Sequence, residues 1–145
     1  MRKTILLLSL VSCVTSLNAD GLKTQEMPVT EMQKQNQQIV RMASEEMTKT
    51  LPQKVDKYTT LQRVEGKGSR LTYIFEINTG AKSDETVKKE DRSRMKKAVT
   101  NGICTSAKRF LDAQIDISYL YTSAATKAKL FQFDVSQADC PLSDR

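Results

Sequence analysis

Between Cys104 and Cys140 the chain holds two runs of strict apolar alternation, and no other feature constrains its fold as strongly. Ile115, Ile117, Tyr119 and Tyr121 alternate with Gln114, Asp116, Ser118 and Leu120. Phe131, Phe133 and Val135 alternate with Gln132 and Asp134. A period of two sends each set to one face of a strand. Thr122 to Lys129, small and polar, suits the loop of a hairpin. A cysteine flanks the hairpin on each side, and the two are expected to be bonded. Such a bond closes a loop of about 37 residues, for which chain entropy gives about 3–4 kcal/mol. Two unpaired buried thiols are the alternative, and the export signal below argues against it.

That signal occupies residues 1–19. Met1, Arg2 and Lys3 form a basic start, Ile5 to Val14 is apolar, and Thr15 to Ala19 is polar and ends small. This is the pattern of a secretory signal peptide, too short for a stable transmembrane span. Cleavage after Ala19 starts the mature chain at Asp20. It discards Cys13 and leaves an even cysteine pair, as an oxidising compartment favours. Leu10-Val11-Ser12-Cys13 supports a second reading, because it resembles a lipoprotein box. Lipidation at Cys13 would tether the protein to a membrane. Localisation is therefore expected to be periplasmic, with an outer-membrane lipoprotein or a secreted protein as alternatives.

Composition narrows the chemistry. The chain has no histidine and no tryptophan. Histidine-dependent triads and the commonest zinc ligand are excluded, and no cofactor or metal is expected. Loss of Arg2 and Lys3 with the signal lowers the formal net charge from +6 to +4. A balance of that size bears on solubility and on weak attraction to acidic surfaces. No nucleic acid is expected as a partner.

Asp20 to Pro28 is a polar lead-in over 20–28, ahead of a single domain over 29–142 and a tail over 143–145. From Val29 to Lys49 the pattern is helical. Met32, Ile39, Ala43 and Met47 form an apolar stripe widened by Val40, bracketed by Pro28 and Pro52. The stripe is expected to be core, although methionines can also form an adaptable binding surface. Tyr58 to Glu65 and Arg70 to Asn78 read as a hairpin joined by Gly66-Lys67-Gly68. Leu71, Tyr73, Phe75 and Ile77 share one face of its second strand.

Ser83 can cap a second helix that carries Val87, Met95, Ala98 and Val99. Lys88, Lys89, Arg92, Arg94, Lys96 and Lys97 make it strongly basic, with Glu85–Lys89 and Glu90–Arg94 spaced for ion pairs. This face is expected to be a solvated surface, and it is also the candidate docking surface, for an acidic envelope protein or an anionic membrane. Asn101-Gly102 is expected to end the helix. A short helical segment follows over Thr105 to Leu111. The order is therefore αββ-αββ: an α+β fold with a four-stranded antiparallel sheet and helices packed on one face.

Catalytic motifs are weak. Ser93-Arg94-Met95-Lys96 matches the S-x-x-K nucleophile pattern, but its companion motifs are missing. Glu76 and Asp116 lie mid-strand on the polar faces, where solvation is expected. No catalytic residues are assigned.

Several pieces together resemble a loose class of small exported bacterial proteins. They are Leu51-Pro52 with Val55-Asp56, Thr60-Leu61, Leu71-x-Tyr73-x-Phe75, Cys104, Phe110-Leu111, Ile117-x-Tyr119-x-Tyr121 and Asp139-Cys140. The resemblance covers most of the mature chain. It implies export, one disulfide and an α+β domain. It implies no activity, so no functional residue carries over, and the basic second helix departs from the class. The expected function is that of an exported, non-catalytic binding or accessory protein of the periplasm or envelope. The alternatives are a lipoprotein anchored through Cys13 and acting as a pilotin-like secretion accessory factor, and a small histidine-free periplasmic enzyme.

Overall fold

A computed structural model describes residues 30–141. The expected signal peptide, Cys13, the lead-in over 20–28 and the tail over 143–145 lie outside them. Among the described residues no helix is long and apolar enough to cross a membrane.

The chain opens with helix α1 (Glu31–Thr48), which starts on a capping box. Thr30 Oγ1 accepts from the Gln33 N–H at 3.2 Å, and Gln33 Oε1 accepts from the Thr30 N–H at 2.9 Å. The Thr30-x-x-Gln33 spacing announces this start in the sequence. The strands are β1 (Gln53–Lys54), β2 (Thr59–Lys67), β3 (Arg70–Ile77), β4 (Asp116–Ser123) and β5 (Lys129–Val135). Between β3 and β4 come α2 (Asp84–Lys89), α3 (Ser93–Ser106) and α4 (Lys108–Asp112). A 3-10 turn over Gln137–Asp139 precedes Cys140.

Both expected hairpins form, β2–β3 and β4–β5. The sheet differs from the expected four antiparallel strands. It has five, in the order β1-β2-β3-β4-β5, and β3 pairs with β4 in parallel. The physical reason is the crossover. Three helices between Ile77 and Asp116 carry the chain back to the end where β3 began, so β4 leaves in the same direction. The added strand β1 is only two residues long and lies on β2. Beyond it, Thr48 Oγ1 donates to the Val64 carbonyl at 3.1 Å and so covers part of the β2 edge.

One face of the sheet is apolar. Leu71, Tyr73 and Phe75 of β3 stand beside Ile117, Tyr119 and Tyr121 of β4, which face Val135, Phe133 and Phe131 of β5. Residues of α1, α3 and α4 pack into this layer as Val40, Ile103, Cys104 and Leu111. Cys104 and Cys140 are bonded, with Cα atoms 5.6 Å apart. Both are buried, and the bond ties α3 to the chain that leaves β5.

Helix α1 is rotated from its expected orientation. Asn36, Val40 and Ser44 are its buried residues, with Ala43 and Met47 packed alongside. Met32 and Ile39, expected in the core, are exposed together with Met42. Two contacts decide this rotation. Asn36 Nδ2 donates to the Ala113 carbonyl at 2.7 Å, anchoring α1 to the turn before β4. Val40 and Ser44 lie on Gly66 of β2, where a Cβ would stand 2.7 Å from the Val40 carbonyl oxygen. Gly66 is thus a strand residue that admits a helix, and not the turn residue expected. The turn is Gly68-Ser69, with Gly68 at φ +58°, as the first position of a type II′ hairpin needs.

Replacing Asn36 with leucine should cost about 1–2 kcal/mol, because the partly buried Ala113 carbonyl then loses its donor. A denaturant midpoint equal to that of the native protein would show that this anchor contributes nothing.

The basic helix also differs. It is two helices, α2 and α3, broken at Glu90-Asp91-Arg92. Asp91 Oδ1 accepts from the Ser93 N–H at 2.9 Å, and its other oxygen accepts from the Ser93 hydroxyl at 3.1 Å. This Asx turn diverts the backbone and starts α3. Asn101-Gly102 does not end α3. The helix continues to Ser106 because Ile103 and Cys104 are held in the core, and that burial outweighs the weak propensity of glycine. Neither expected i,i+4 pair forms. Lys88 pairs with Glu85 at 3.6 Å, and Glu90 pairs with Lys82 at 2.6 Å.

Candidate docking groove

The broken helix opens a groove of about 550 Å³ at the end of the sheet where β3 finishes. Its apolar lining comes from four elements and one loop: Tyr58 ahead of β2, Ile77 of β3, Val87 of α2, Met95 of α3 and Phe131 of β5. The volume is in the range of pockets that accept a small ligand or a few side chains. Beneath Phe131 the aromatic layer continues inward. Phe131 stacks on Tyr121 with centroids 4.7 Å apart, and Tyr121 stacks on Phe75 at 4.9 Å. Burial pushes the Tyr121 phenol up to about 12, with Tyr119 and Asp56 adding to the effect. The layer under the groove is therefore uncharged at any ordinary pH.

Arg92 lies across this wall. Its guanidinium carbon sits 4.1 Å from the Phe131 ring centroid. Nη1 donates to the carbonyls of Lys88 at 3.2 Å and Glu90 at 2.9 Å, closing the end of α2. Nη2 is buried and meets no acceptor. Arg92 thus turns inward and is not one of the outward-facing cations of the expected basic surface.

Helix α2 buries only Val87 and is otherwise held by polar contacts at its ends. Asp84 accepts a hydrogen bond from the Thr126 hydroxyl of the β4–β5 loop, which holds its carboxyl below the usual range. The Lys82 ammonium on Glu90 does the same for that carboxyl. The Ser136 N–H, donating at 2.8 Å, lowers Asp139 beside the disulfide. A carboxyl depressed in the folded state adds stability above its unfolded pKa and loses it as pH falls through the folded value. With no histidine present, thermal stability should be flat between about pH 5 and 8 and should fall below about pH 4. A transition near pH 6 in a melting series would contradict this assignment.

The other expected positions are dispersed. Lys89, Arg94, Lys96 and Lys97 are exposed, spread over α2 and α3. Ser93 and Lys96 line a shallow cleft with Thr100 and Asp139, and the Ser93 hydroxyl is bonded to Asp91, not to Lys96. Glu76 is engaged by Gln62 at 3.0 Å and Lys127 at 2.9 Å, and Asp116 by Arg70 at 3.2 Å. The two carboxylates are thus held in structural pairs on the sheet. Among the described residues no group of three or more carboxylates and cysteines is placed to hold a metal.

The groove itself escaped the sequence reading. Its lining residues are far apart in the chain, and only the Asp91-x-Ser93 signal for the helix break could have pointed to it.

Over residues 34–131 the chain matches the family described as a domain of unknown function, DUF8479. The chain belongs to this family. No curated protein sequence matches this DUF8479 member. Solved structures with the same fold include a Pseudomonas aeruginosa protein described as secreted, PA3611. Its TM-score is 0.68 at 10% identity, covering 77% of this chain and 98% of that one. The type 2 secretion system pilotin EpsS of Vibrio vulnificus aligns with a TM-score of 0.63 at 12% identity, over 77% and 96% of the two chains. The type II secretion system pilotin AspS of Vibrio cholerae aligns at 0.58 and 16% identity, over 76% and 96%. At these identities the likeness is one of fold. The DUF8479 chain described above shares its α+β architecture with these three proteins.

Proposed function

We propose that this protein is an exported, non-catalytic accessory factor of the pilotin type, which holds a segment of an envelope protein in the groove between β3, α2 and α3. The observation that carries this reading is the groove itself: an apolar channel over an uncharged aromatic layer, walled by a helix held mainly through surface polar contacts. The fold shared with two pilotins supports this reading over a generic binding role. Residues 29–142 act as one domain behind the signal peptide, and lipidation at Cys13 would anchor it to the outer membrane. The exposed Lys89, Arg94, Lys96 and Lys97 add a salt-sensitive attraction to an acidic partner.

The test is a chromosomal Met95→Lys substitution compared with the native gene and with a deletion. A lysine in the groove places a charge where the partner's apolar side chains sit. Secreted protein in the medium should fall about tenfold or more, matching the deletion, while the purified variant still melts cooperatively, its melting temperature lowered only by the packing that Met95 gives the aromatic layer. Secretion that survives the deletion would overturn the proposal. The intact mass of the native protein addresses anchorage: an acylated chain beginning at Cys13 means a lipoprotein, and a chain beginning at Asp20 means a soluble factor.

A further inference from the structure

The charges that line the groove are not equally free. Lys82 and Glu90 neutralise one another at 2.6 Å. Asp91 is taken up by the N–H and hydroxyl of Ser93. Arg92 lies close enough to Glu90 to help lower that carboxyl but forms no ion pair among the described residues, and it carries a buried Nη2 with no acceptor. Burying a charged donor without an acceptor is costly, and folded proteins rarely leave one so. Nη1 is held by two carbonyls, and the guanidinium carbon sits over the Phe131 ring. The side chain as a whole is only partly buried and lines the groove, so an occupant lies next to the guanidinium, and pairing with Nη2 turns that edge out of its present buried position. An arginine held in this way suits a carboxylate, which offers two acceptors in the plane of the fork.

We infer that the groove takes a peptide segment in which a carboxylate is flanked by apolar side chains, and that Arg92 receives the carboxylate as the specificity-determining residue. This inference rests on the groove being the docking site. The apolar flanks fill the space between Ile77, Val87, Met95 and Phe131. The carboxylate, from an aspartate, a glutamate or a free C-terminus, selects among apolar segments that would otherwise bind alike.

Selection of a random-peptide display library on the mature protein tests this, followed by affinity measurements on the enriched peptides. The variants are Arg92→Gln, Arg92→Lys and Met95→Lys. Enriched peptides should share one acidic position between apolar ones. They should bind Arg92→Gln about tenfold or more weakly, because a charge-assisted hydrogen-bonded pair is lost. Arg92→Lys, which keeps the charge and loses the planar fork, should recover only part of the affinity. Replacing the acidic residue of the peptide by its amide should weaken binding to the native protein and matter little to Arg92→Gln. Peptides without a shared acid that bind Arg92→Gln as well as the native protein, yet lose binding to Met95→Lys, would overturn the role of Arg92 and leave the groove standing. Peptides that bind Met95→Lys unchanged, or no enrichment at all, would overturn the groove and this inference together.

Discussion

Replacing Cys104 or Cys140 with serine should lower the unfolding free energy by about 3–4 kcal/mol, the chain-entropy value for the loop that the bond closes. The bonded residues are separated by 36 positions, and the loop between them contains α4, β4 and β5. Freed of the bond, that hairpin and its helix sample many more arrangements in the unfolded chain. The effect on the folded side is added to this. Cys104 and Cys140 belong to the core shared by Val40, Leu71, Ile103 and Ile117, so the bond also closes one end of the apolar layer. A loss of that size corresponds to a fall in melting temperature of about 10 °C or more for a domain of this length. Calorimetry with and without reductant measures it. A melting temperature that moves by only a degree or two would mean that the bond does not restrain the unfolded chain. The same variant bears on the groove, because α3 carries both Cys104 and Met95.

Replacing Gly66 with valine should destabilise the protein by about 3 kcal/mol or more, at or beyond the upper end of the usual overpacking range. An added Cβ would stand 2.7 Å from both Cγ1 and the carbonyl oxygen of Val40, and 2.8 Å from Ser44 Oγ. The carbonyl belongs to the backbone of α1 and cannot rotate away. Either α1 lifts from β2 or the strand bends. Both would pull on the Thr48–Val64 contact and on the Asn36–Ala113 anchor. Gly68 makes the contrast. It holds its position through a positive φ and meets nothing within 4 Å of an added Cβ, so Gly68→Ala should cost only the strain of its backbone. Urea titrations of the two variants compare them directly. Equal midpoints would show that the approach of α1 to Gly66 is not close in solution.

Much of this architecture was legible before any coordinates. Alternation of apolar residues located β3, β4 and β5 to within about two residues, because the side-chain period of a strand is a local property. The pairing of Cys104 with Cys140 followed from their places around one hairpin and from the export signal expected over residues 1–19. Helix α1 followed from its periodicity and from the Pro28 and Pro52 that bracket it. What the chain could not declare locally was decided by contacts between distant residues. The parallel β3–β4 pairing depends on where three helices return the chain, and no residue of β3 or β4 encodes a direction. The rotation of α1, which exposes Met32 and Ile39 and buries Asn36, depends on a carbonyl at Ala113 and a missing side chain at Gly66. Periodicity alone allowed either rotation. The break at Asp91 lay in the sequence as an Asx-turn signal within a run of charges, yet its consequence did not. Only the tertiary structure brings Tyr58, Ile77, Val87, Met95 and Phe131 together and lays Arg92 across an aromatic ring. Strands and caps are set by neighbours in the chain, whereas a groove is set by neighbours in space.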